Sequence, residues 1–486
     1  MSSTPEAPSR TLRVGVLSRL GAVEPWKAND SVTTLMIEQV YESPFAPSFG
    51  TEDPEPLLFS EPLRTGGDVR TLYARVRPGI SFSDGSPCTA EEIVASLESV
   101  REIGSFADVI SRKDQVVFRL WHPDPNFMFV LAQPFYGVTR RVDGRLLGTG
   151  PFLAPEAPGD GDPTQSDRVE LRANPRSWNP PKLESLTFEC YPSADALLDG
   201  VKTGNVDVTY SLSVSQVSKL GGAPVVTKTL DGSSTCFLVL NRERPALRDA
   251  FIRRALCLAV SRSDVARASY GTAGATYVAD GILPPFLGAR TRLGEPTANL
   301  RAAMQQLAED NLRAPERLSL LITWAPKPYL PDPPTAAEVI VRNLAQLGTT
   351  VDVVAPQDRA EYRSRQASGD YDLLLGGMIA DTPIAADFLD SLLGSKMIPS
   401  PTAFQSAANN LSRWDDAATD RLISGIRNAP SASGVEALYR RVEQHGLLVP
   451  LMHGRTVAVY GKNVRGLRPS PFGRSSFRDV DLAGRG

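Results

Sequence analysis

The sequence has few of the residues that build disulfide scaffolds and metal sites. Four cysteines and three histidines occur among 486 residues. The cysteines lie too far apart for paired zinc-ligand spacing and are too few to hold a small scaffold together. No two histidines stand at the i, i+4 spacing that a helical metal site uses. We therefore expect mostly buried thiols, with one disulfide as the alternative, and no metal or other cofactor.

Excess charge and long apolar runs are also missing. The 52 basic and 55 acidic side chains leave a formal net charge of −3, so the chain has no electrostatic reason to bind a nucleic-acid backbone. The best apolar run, residues 373–380, contains Gly376 and Gly377 and is far shorter than the roughly 18 residues of a membrane helix. We expect no nucleic-acid partner and no direct membrane insertion.

No secretory signal is visible at the start of the sequence. Residues 1–10 are rich in Ser and Pro and lead directly into an alternating strand, without the apolar segment of about 7–15 residues that a signal peptide carries. We expect a flexible N-terminus and, for the chain as written, a cytoplasmic location.

The sequence does contain enough apolar material for more than one core. Hydrophobic residues make up 42% and charged residues 22%, which is typical of a soluble globular protein. A chain of 486 residues exceeds the roughly 250–300 residues that one core serves. We therefore expect two or three lobes.

Strands alternate with helices along the chain. Residues 11–18 have the two-residue period of a strand, and residues 32–41 have helical spacing. The clearest unit is a strand at 318–323, a helix opened by a Thr-x-x-Glu capping box at Thr335 and Glu338, and a strand from Val351. Such a βαβ unit requires a parallel strand pair. The alternation indicates an α/β protein with mixed sheets.

Catalytic motifs give little support for an enzyme. The sequence contains no G-x-S-x-G elbow, no G-x-x-x-x-G-K-[ST] loop, no H-E-x-x-H and no G-x-G-x-x-G after a strand. Scattered Asp, Ser and His residues could meet in space, but spacing alone does not establish that geometry. A binding protein is therefore favoured over an enzyme.

A set of ordered motifs carries a resemblance to a known family. In chain order they are YE at 41–42, RPGISFSDGSP at 77–87 with TAEE at 89–92, GTGPF at 148–152, NP at 174–175 with Trp178, GNVD at 204–207, DYD at 370–372 and VPL at 449–451. This order resembles that of the extracellular solute-binding protein family 5, the peptide, dipeptide and nickel-type receptors of ABC importers. The resemblance extends over nearly the whole chain.

The resemblance implies a fold and its division along the chain. The expected fold is α/β and type II periplasmic-binding-protein-like, with two lobes of mixed sheets and an extra small domain. Lobe I would comprise residues 11–43, 146–241 and 451–486, the extra domain 44–145, and lobe II 242–450. The chain would cross between the lobes near 240–241 and 449–450, and these crossings would form the hinge.

The resemblance also implies a function. The expected protein is non-catalytic and closes around a small polar ligand, a short peptide or peptide-like metabolite, for uptake through an ABC permease. We expect it to act as a monomer. Because importer receptors work outside the cytoplasmic membrane, one alternative stays open: a signal-less cytoplasmic homologue that serves as a biosynthetic-cluster enzyme, a scaffold or a ligand sensor.

Five residues are the candidates for the ligand site. In peptide-binding relatives an Asp in an Ala-Asp pair accepts the ligand ammonium, and Asp381 is the match in this sequence. Such a partner is needed because an unpaired buried charge is costly. Met378 stands where these relatives commonly carry an aromatic residue. Asp387 is a substitute charge partner or a helix N-cap, and Trp324 and Tyr329 either stack on a ligand or pack in the core.

Overall fold

The chain forms two compact units. The computed structural model describes residues 10–21, 24–28, 30–46, 53–155, 166–271, 277–287, 297–380, 382–401 and 408–483. Unit 1 takes in the described residues up to Leu212, then Gln216–Thr229 and the residues from Val457 onward. Unit 2 takes in Ser213–Ser215 and the described residues of Leu230–Thr456.

The described residues form strands and helices that alternate in parts of the chain. The strands are β1 (Thr11–Val16), β2 (Phe45–Ala46), β3 (Glu55–Pro56), β4 (Arg64–Thr65), β5 (Thr71–Arg75), β6 (Ala107–Arg112), β7 (Gln115–Leu120), β8 (Arg140–Val142), β9 (Arg145–Leu147), β10 (Arg168–Arg172), β11 (Ser185–Cys190), β12 (Val208–Thr209), β13 (Val225–Leu240), β14 (Arg317–Ile322), β15 (Thr350–Val354), β16 (Leu373–Ile379), β17 (Leu448–Gly461), β18 (Val464–Arg465) and β19 (Asp481–Leu482).

The α-helices follow the same chain order. They are α1 (Ser31–Ile37), α2 (Ala90–Ser99), α3 (Phe127–Leu131), α4 (Ala194–Lys202), α5 (Val214–Val217), α6 (Ala250–Ala259), α7 (Arg262–Tyr270), α8 (Leu300–Glu309), α9 (Pro333–Ala345), α10 (Arg359–Ser368), α11 (Ala385–Leu393), α12 (Ala417–Asn428) and α13 (Ala432–His445). Short 3₁₀ turns occur at Pro25–Lys27, Arg101–Ser105, Pro134–Tyr136, Ser218–Leu220, Pro245–Leu247, Pro285–Leu287 and Ser395–Met397.

The described residues of unit 1 form two hydrophobic cores. The first lies on a sheet of order β10-β11-β1-β12-β17, in which β1 runs parallel to β11. The alternating Leu12, Val14 and Val16 of β1 are buried in this core, as the two-residue period predicts. The second core lies between α2 and a sheet of order β4-β5-β7-β6 and is built from buried residues between Phe45 and Val138. Residues 45–138 therefore bury their apolar side chains largely among themselves.

Unit 2 has one mixed sheet of order β17-β13-β16-β14-β15. Strand β14 is parallel to both β15 and β16, whereas β13 is antiparallel to β16. The predicted βαβ unit is confirmed as β14, α9 and β15. Its core is formed by leucines of β14 and β16 together with apolar residues of α6, α7 and α9.

The start of α9 differs from the prediction. The Thr335 and Glu338 capping box is wrong, because the helix already begins at Pro333 and its N-cap is Asp332. The Asp332 carboxylate accepts hydrogen bonds from the Thr335 backbone N–H at 3.1 Å and the Thr335 hydroxyl at 2.8 Å. Proline suits the first helical turn because the backbone N–H that it lacks has no helical partner there. In α2 the N-cap is Thr89, whose hydroxyl accepts a hydrogen bond from the Glu92 N–H at 3.4 Å.

All four cysteines are unpaired thiols, so the alternative of one disulfide is wrong. Burial raises the pKa of the Cys88 thiol to about 12 and has the same effect on Cys257. These thiols therefore stay protonated near neutral pH. Among the described helices, none combines the length and the apolar character that a membrane span requires.

Three of the ordered sequence motifs meet at one buried carboxylate in unit 1. Glu42 accepts hydrogen bonds from the Thr149 hydroxyl and from the Trp178 indole N–H, each at 2.9 Å. A Cβ at Gly148 or Gly150 would overlap the backbone carbonyl of Val40, so the loop needs glycine to pass this close. Burial raises the pKa of Glu42 to about 7, and the two hydrogen bonds partly oppose that rise. These motifs therefore have a structural role.

We expect the Glu42→Gln substitution to remove a pH dependence of stability. Burial raises the pKa of Glu42 from 4.5 to about 7. Protonated Glu42 therefore contributes fully to the free energy of unfolding below pH 4.5, and this contribution is lost as the pH rises through about 7. The free energy of unfolding of the wild type should fall by about 3 kcal/mol over this pH range, whereas that of the Gln variant should not fall. Urea unfolding between pH 5 and pH 8 measures this difference. The exposed Glu170 provides the control Glu170→Gln, and parallel pH profiles for Glu42→Gln and the wild type would contradict the assignment.

Candidate functional site

The strand that leads to the predicted ligand loop is β16 in unit 2. Its pairing with β14 ends at Leu375, opposite Ile322, whereas its pairing with β13 continues to Ile379, opposite Ser234. Within the described part of the chain, Met378 and Ile379 therefore have a strand partner on one side only. The side chain of Ile379 is 38% exposed. The end of β16 thus has a short edge without a described strand partner, and of Met378 and Ile379 only Ile379 is exposed.

Two glycines of β16 allow tyrosine side chains to approach the strand. A Cβ at Gly377 would lie 2.5 Å from the Thr235 carbonyl oxygen and 2.6 Å from the ring of Tyr329. A Cβ at Gly376 would lie 2.9 Å from the Tyr362 hydroxyl oxygen. Tyr329 is buried in the core of unit 2, and this burial raises the pKa of its hydroxyl well above the ordinary value. The structure therefore places Tyr329 in the core.

Trp324 lies in the loop that follows β14. Its ring centroid is 5.2 Å from that of Tyr362, with the planes inclined at 50°. The Lys327 ammonium stands 3.6 Å from the Trp324 ring centroid, which is cation–π geometry. Trp324 is half-buried, so part of its ring remains accessible beside this contact.

Polar side chains of the neighbouring strands β13 and β17 lie at one end of the unit 2 sheet. We call this set the polar row, and it consists of Asp231, Ser233 and Thr235 of β13 and His453 and Arg455 of β17. Alternate residues of a strand share one face. Two contacts agree with this alternation: Thr235 Oγ1 lies 3.0 Å from His453 Nδ1, and Arg455 forms an ion pair with Asp231. Met378 is paired with Thr235 across the ladder and so belongs to the same face.

His453 joins three segments of unit 2. Its side chain is about 5% exposed, and its Nε2 lies 3.1 Å from the Asp280 carboxylate oxygen and 3.3 Å from the Asp280 backbone nitrogen. Burial lowers the pKa of His453, and the nearby Asp280 carboxylate partly opposes that effect. The imidazole is therefore neutral near pH 7. Asp280 keeps 54% of its side chain exposed, so it adds an accessible negative charge beside the row.

The five predicted site residues do not all lie beside the polar row. Met378 is buried beside it, whereas Asp381 lies outside the described residues. Asp387 is engaged elsewhere, because it forms an ion pair with Arg427 and accepts a hydrogen bond from the Thr382 hydroxyl at 2.9 Å. The N-cap alternative for Asp387 is wrong, since it is the third residue of α11, which begins at Ala385.

Sequence reasoning missed four charged or ionisable residues at this site. None of Asp231, Asp280, His453 and Arg455 is among the five candidate residues. The alternation D-x-S-x-T at 231–235 and H-x-R at 453–455 was the available signal, because it indicates two strands that each turn a polar face in one direction. Among the described residues, no group of three or more His, Cys, Asp and Glu side chains could hold a metal ion.

Comparison with known proteins adds three findings. The sequence model of the bacterial extracellular solute-binding proteins, family 5 Middle, matches residues 53–399. The probable ABC transporter periplasmic-binding protein SapA of Escherichia coli strain K12 is 26% identical over 389 residues, which cover 75% of this chain and 68% of that protein. The dipeptide-binding protein of Pseudomonas aeruginosa is 23% identical over 352 residues, which cover 71% of this chain and 63% of that protein.

A solved structure supports the fold. The dipeptide-binding protein from Pseudoalteromonas sp. SM9913, determined in complex with Met-Leu, matches with a TM-score of 0.81 and 20% sequence identity. The match covers 97% of this chain and 100% of that one. The predicted type II periplasmic-binding-protein-like fold is thereby confirmed.

We expect Gly377→Ala to destabilise unit 2. The added Cβ would lie 2.5 Å from the Thr235 carbonyl oxygen, and a backbone atom in a strand ladder cannot move aside easily. Overpacking of this kind costs about 1–3 kcal/mol, which chemical unfolding measures. The control is Gly425→Ala in α12, where a Cβ has no neighbour within 4 Å and alanine should stabilise the helix by up to about 1 kcal/mol. Equal stability of Gly377→Ala and the wild type would contradict the packing described here.

Proposed function

Because this chain belongs to the bacterial extracellular solute-binding proteins, family 5, we propose that it binds a short peptide or peptide-like metabolite at the end of the unit 2 sheet. The observation that carries the proposal is the strand edge at Met378 and Ile379 beside the polar row. A strand edge offers backbone N–H and C=O groups to an extended peptide, and this mode of binding tolerates different side chains. In the same unit the Asp280 carboxylate is 54% exposed, and Asp231 and Arg455 form a partly exposed ion pair.

The names of the relatives support the same function. The Escherichia coli relative is named as a probable periplasmic-binding protein of an ABC transporter, and the Pseudomonas aeruginosa relative as a dipeptide-binding protein. We propose accordingly that an ABC permease is the partner of this chain and that it works outside the cytoplasmic membrane. The alternative of a cytoplasmic biosynthetic or sensory protein is not favoured by these relatives.

The separate core of residues 45–138 supports a further part of the proposal. The buried residues of this segment form a cluster of their own within unit 1. We propose that it corresponds to the extra domain expected at residues 44–145.

Peptide binding should raise the thermal stability of the protein. A ligand that binds only the folded state adds about 2.7 kcal/mol at a hundredfold excess over its dissociation constant. We expect an increase in melting temperature with di- to pentapeptides and none with sugars or nickel. The measurement is a thermal-shift screen of the full chain, followed by calorimetry of the peptides that give a shift. A shift with sugars or nickel and none with any peptide would reject the proposal.

Two aspartates should respond differently to substitution. We expect Asp381→Asn to weaken binding of a peptide with a free ammonium by about 3–5 kcal/mol if the ion pair is buried, and to leave an N-acetylated peptide unaffected. We expect Asp387→Asn to lower the melting temperature without changing affinity, because Asp387 is paired with Arg427. Calorimetric titration with trialanine and its N-acetyl derivative measures the affinities, and thermal unfolding measures the melting temperatures. Unchanged affinity of Asp381→Asn for trialanine would reject the assignment of the ammonium partner.

A further inference from the structure

A groove lies between helices α7 and α9 on the surface of unit 2, and we call it the α7–α9 groove. Its volume is about 320 Å³, and its lining residues are Asp264, Arg267, Ala268, Val339, Arg342 and Asn343. Small-molecule sites have volumes of about 300–1,000 Å³, so the groove has room for a small ligand. Its lining includes no residue of the polar row or of the β16 edge, which makes it distinct from the candidate peptide site.

The floor of the groove is apolar. Val339 is 5% exposed and belongs to the hydrophobic core of unit 2, and Ala268 packs against the same core. Because alanine has no side chain beyond Cβ, the α7 side of the groove stays open at this position. An apolar floor favours a ligand with an apolar body, since binding then removes apolar surface from water.

Asn343 contributes an unused hydrogen-bond donor. Its Oδ1 accepts the backbone N–H of Ser261 at 2.9 Å, and this contact sets the orientation of the amide. Asn343 as a whole is 9% exposed, yet its Nδ2 has no hydrogen-bond partner among the described residues and is not fully buried. Since Asn343 lines the groove, its free N–H groups are accessible from there to an acceptor.

Two arginines add positive charge to the groove. The Arg267 guanidinium lies 3.3 Å from the Asp264 carboxylate, and the Arg342 guanidinium lies 3.9 Å from the Glu338 carboxylate. All four side chains are more than half exposed, and ion pairs of this kind contribute little net stability. Both guanidinium groups can therefore turn to another anion at small cost. The lining holds two cations and one anion, Asp264, so its net charge is positive.

The position of these groups on α9 matches one kind of ligand. Val339, Arg342 and Asn343 share one side of the helix, because residues three and four positions apart are neighbours on its surface. A guanidinium can offer two parallel N–H donors to a carboxylate, and the amide of Asn343 adds another donor. A cation would be repelled by the arginines, and a neutral apolar molecule would leave the donors unused.

We propose that the α7–α9 groove binds a small organic carboxylate, with the carboxylate on Arg342 and Asn343 and the apolar body on Val339. This second site goes beyond the peptide binding proposed above and does not depend on it.

The test measures the affinity of the full chain for phenylacetate and for phenylacetamide by ligand-observed NMR titration. The amide has the same apolar body and no charge. We expect phenylacetate to bind at least about tenfold more tightly than phenylacetamide. Excess trialanine should not displace phenylacetate, because the groove is distinct from the candidate peptide site.

Three variants locate the binding to the groove. Arg342→Gln removes an exposed positive charge, and Asn343→Asp keeps the acceptor for the Ser261 N–H while it replaces the donor by an anion. Ala268→Leu fills the groove with a residue that also favours a helix. Each variant should weaken phenylacetate binding at least about tenfold, and Ala268→Leu should weaken phenylacetamide binding as well.

The control is Arg317→Gln, which removes an arginine from an exposed ion pair with Asp352 in the same unit and should leave phenylacetate binding unchanged. The proposal is overturned if phenylacetate does not bind, if it binds no more tightly than phenylacetamide, or if Arg342→Gln and Ala268→Leu keep the wild-type affinity. Displacement of phenylacetate by trialanine would overturn it too. If trialanine itself does not bind, the proposed peptide binding is weakened and the carboxylate site stands.

Discussion

The register of β13 within the unit 2 sheet is the constraint on which the site depends. Hydrogen bonds to β16 place Thr235 opposite Met378 and Ser234 opposite Ile379. Since side chains alternate along a strand, this register turns Cys236, Leu238 and Leu240 into the core and leaves Asp231, Ser233 and Thr235 on the other face. A slip of one residue would move the side chains of Asp231, Ser233 and Thr235 to the face that carries Cys236, Leu238 and Leu240.

Close backbone approach is the second feature of this region. Glycines at 232, 377 and 454 occupy positions where a Cβ would meet backbone or a packed side chain. They bring β13 against β17 and allow Tyr329 to lie on β16. The short strand edge and the charged residues beside it are therefore set on a rigid support, while the guanidinium of Arg455 and the carboxylates of Asp231 and Asp280 extend to solvent.

The sequence motifs of the family resemblance that meet at Glu42 have a structural role. In unit 1, Glu42 lies between Thr149 and Trp178, and its burial raises its pKa to about 7. These residues tie separate chain segments together, which explains why the motifs identify the family without identifying the ligand. The groups suited to ligand charges lie in unit 2, outside those motifs.

The sequence by itself determined the strand at β1 and the βαβ unit of β14, α9 and β15, because periodicity acts over a few residues. It did not reveal Asp332 as the cap of α9, since two prolines and a neighbouring threonine obscured it. Only the tertiary structure brought Arg455 to Asp231, which are 224 residues apart, and His453 to Thr235 and Asp280. Contacts of that separation depend on strand order and register, and no local pattern encodes either.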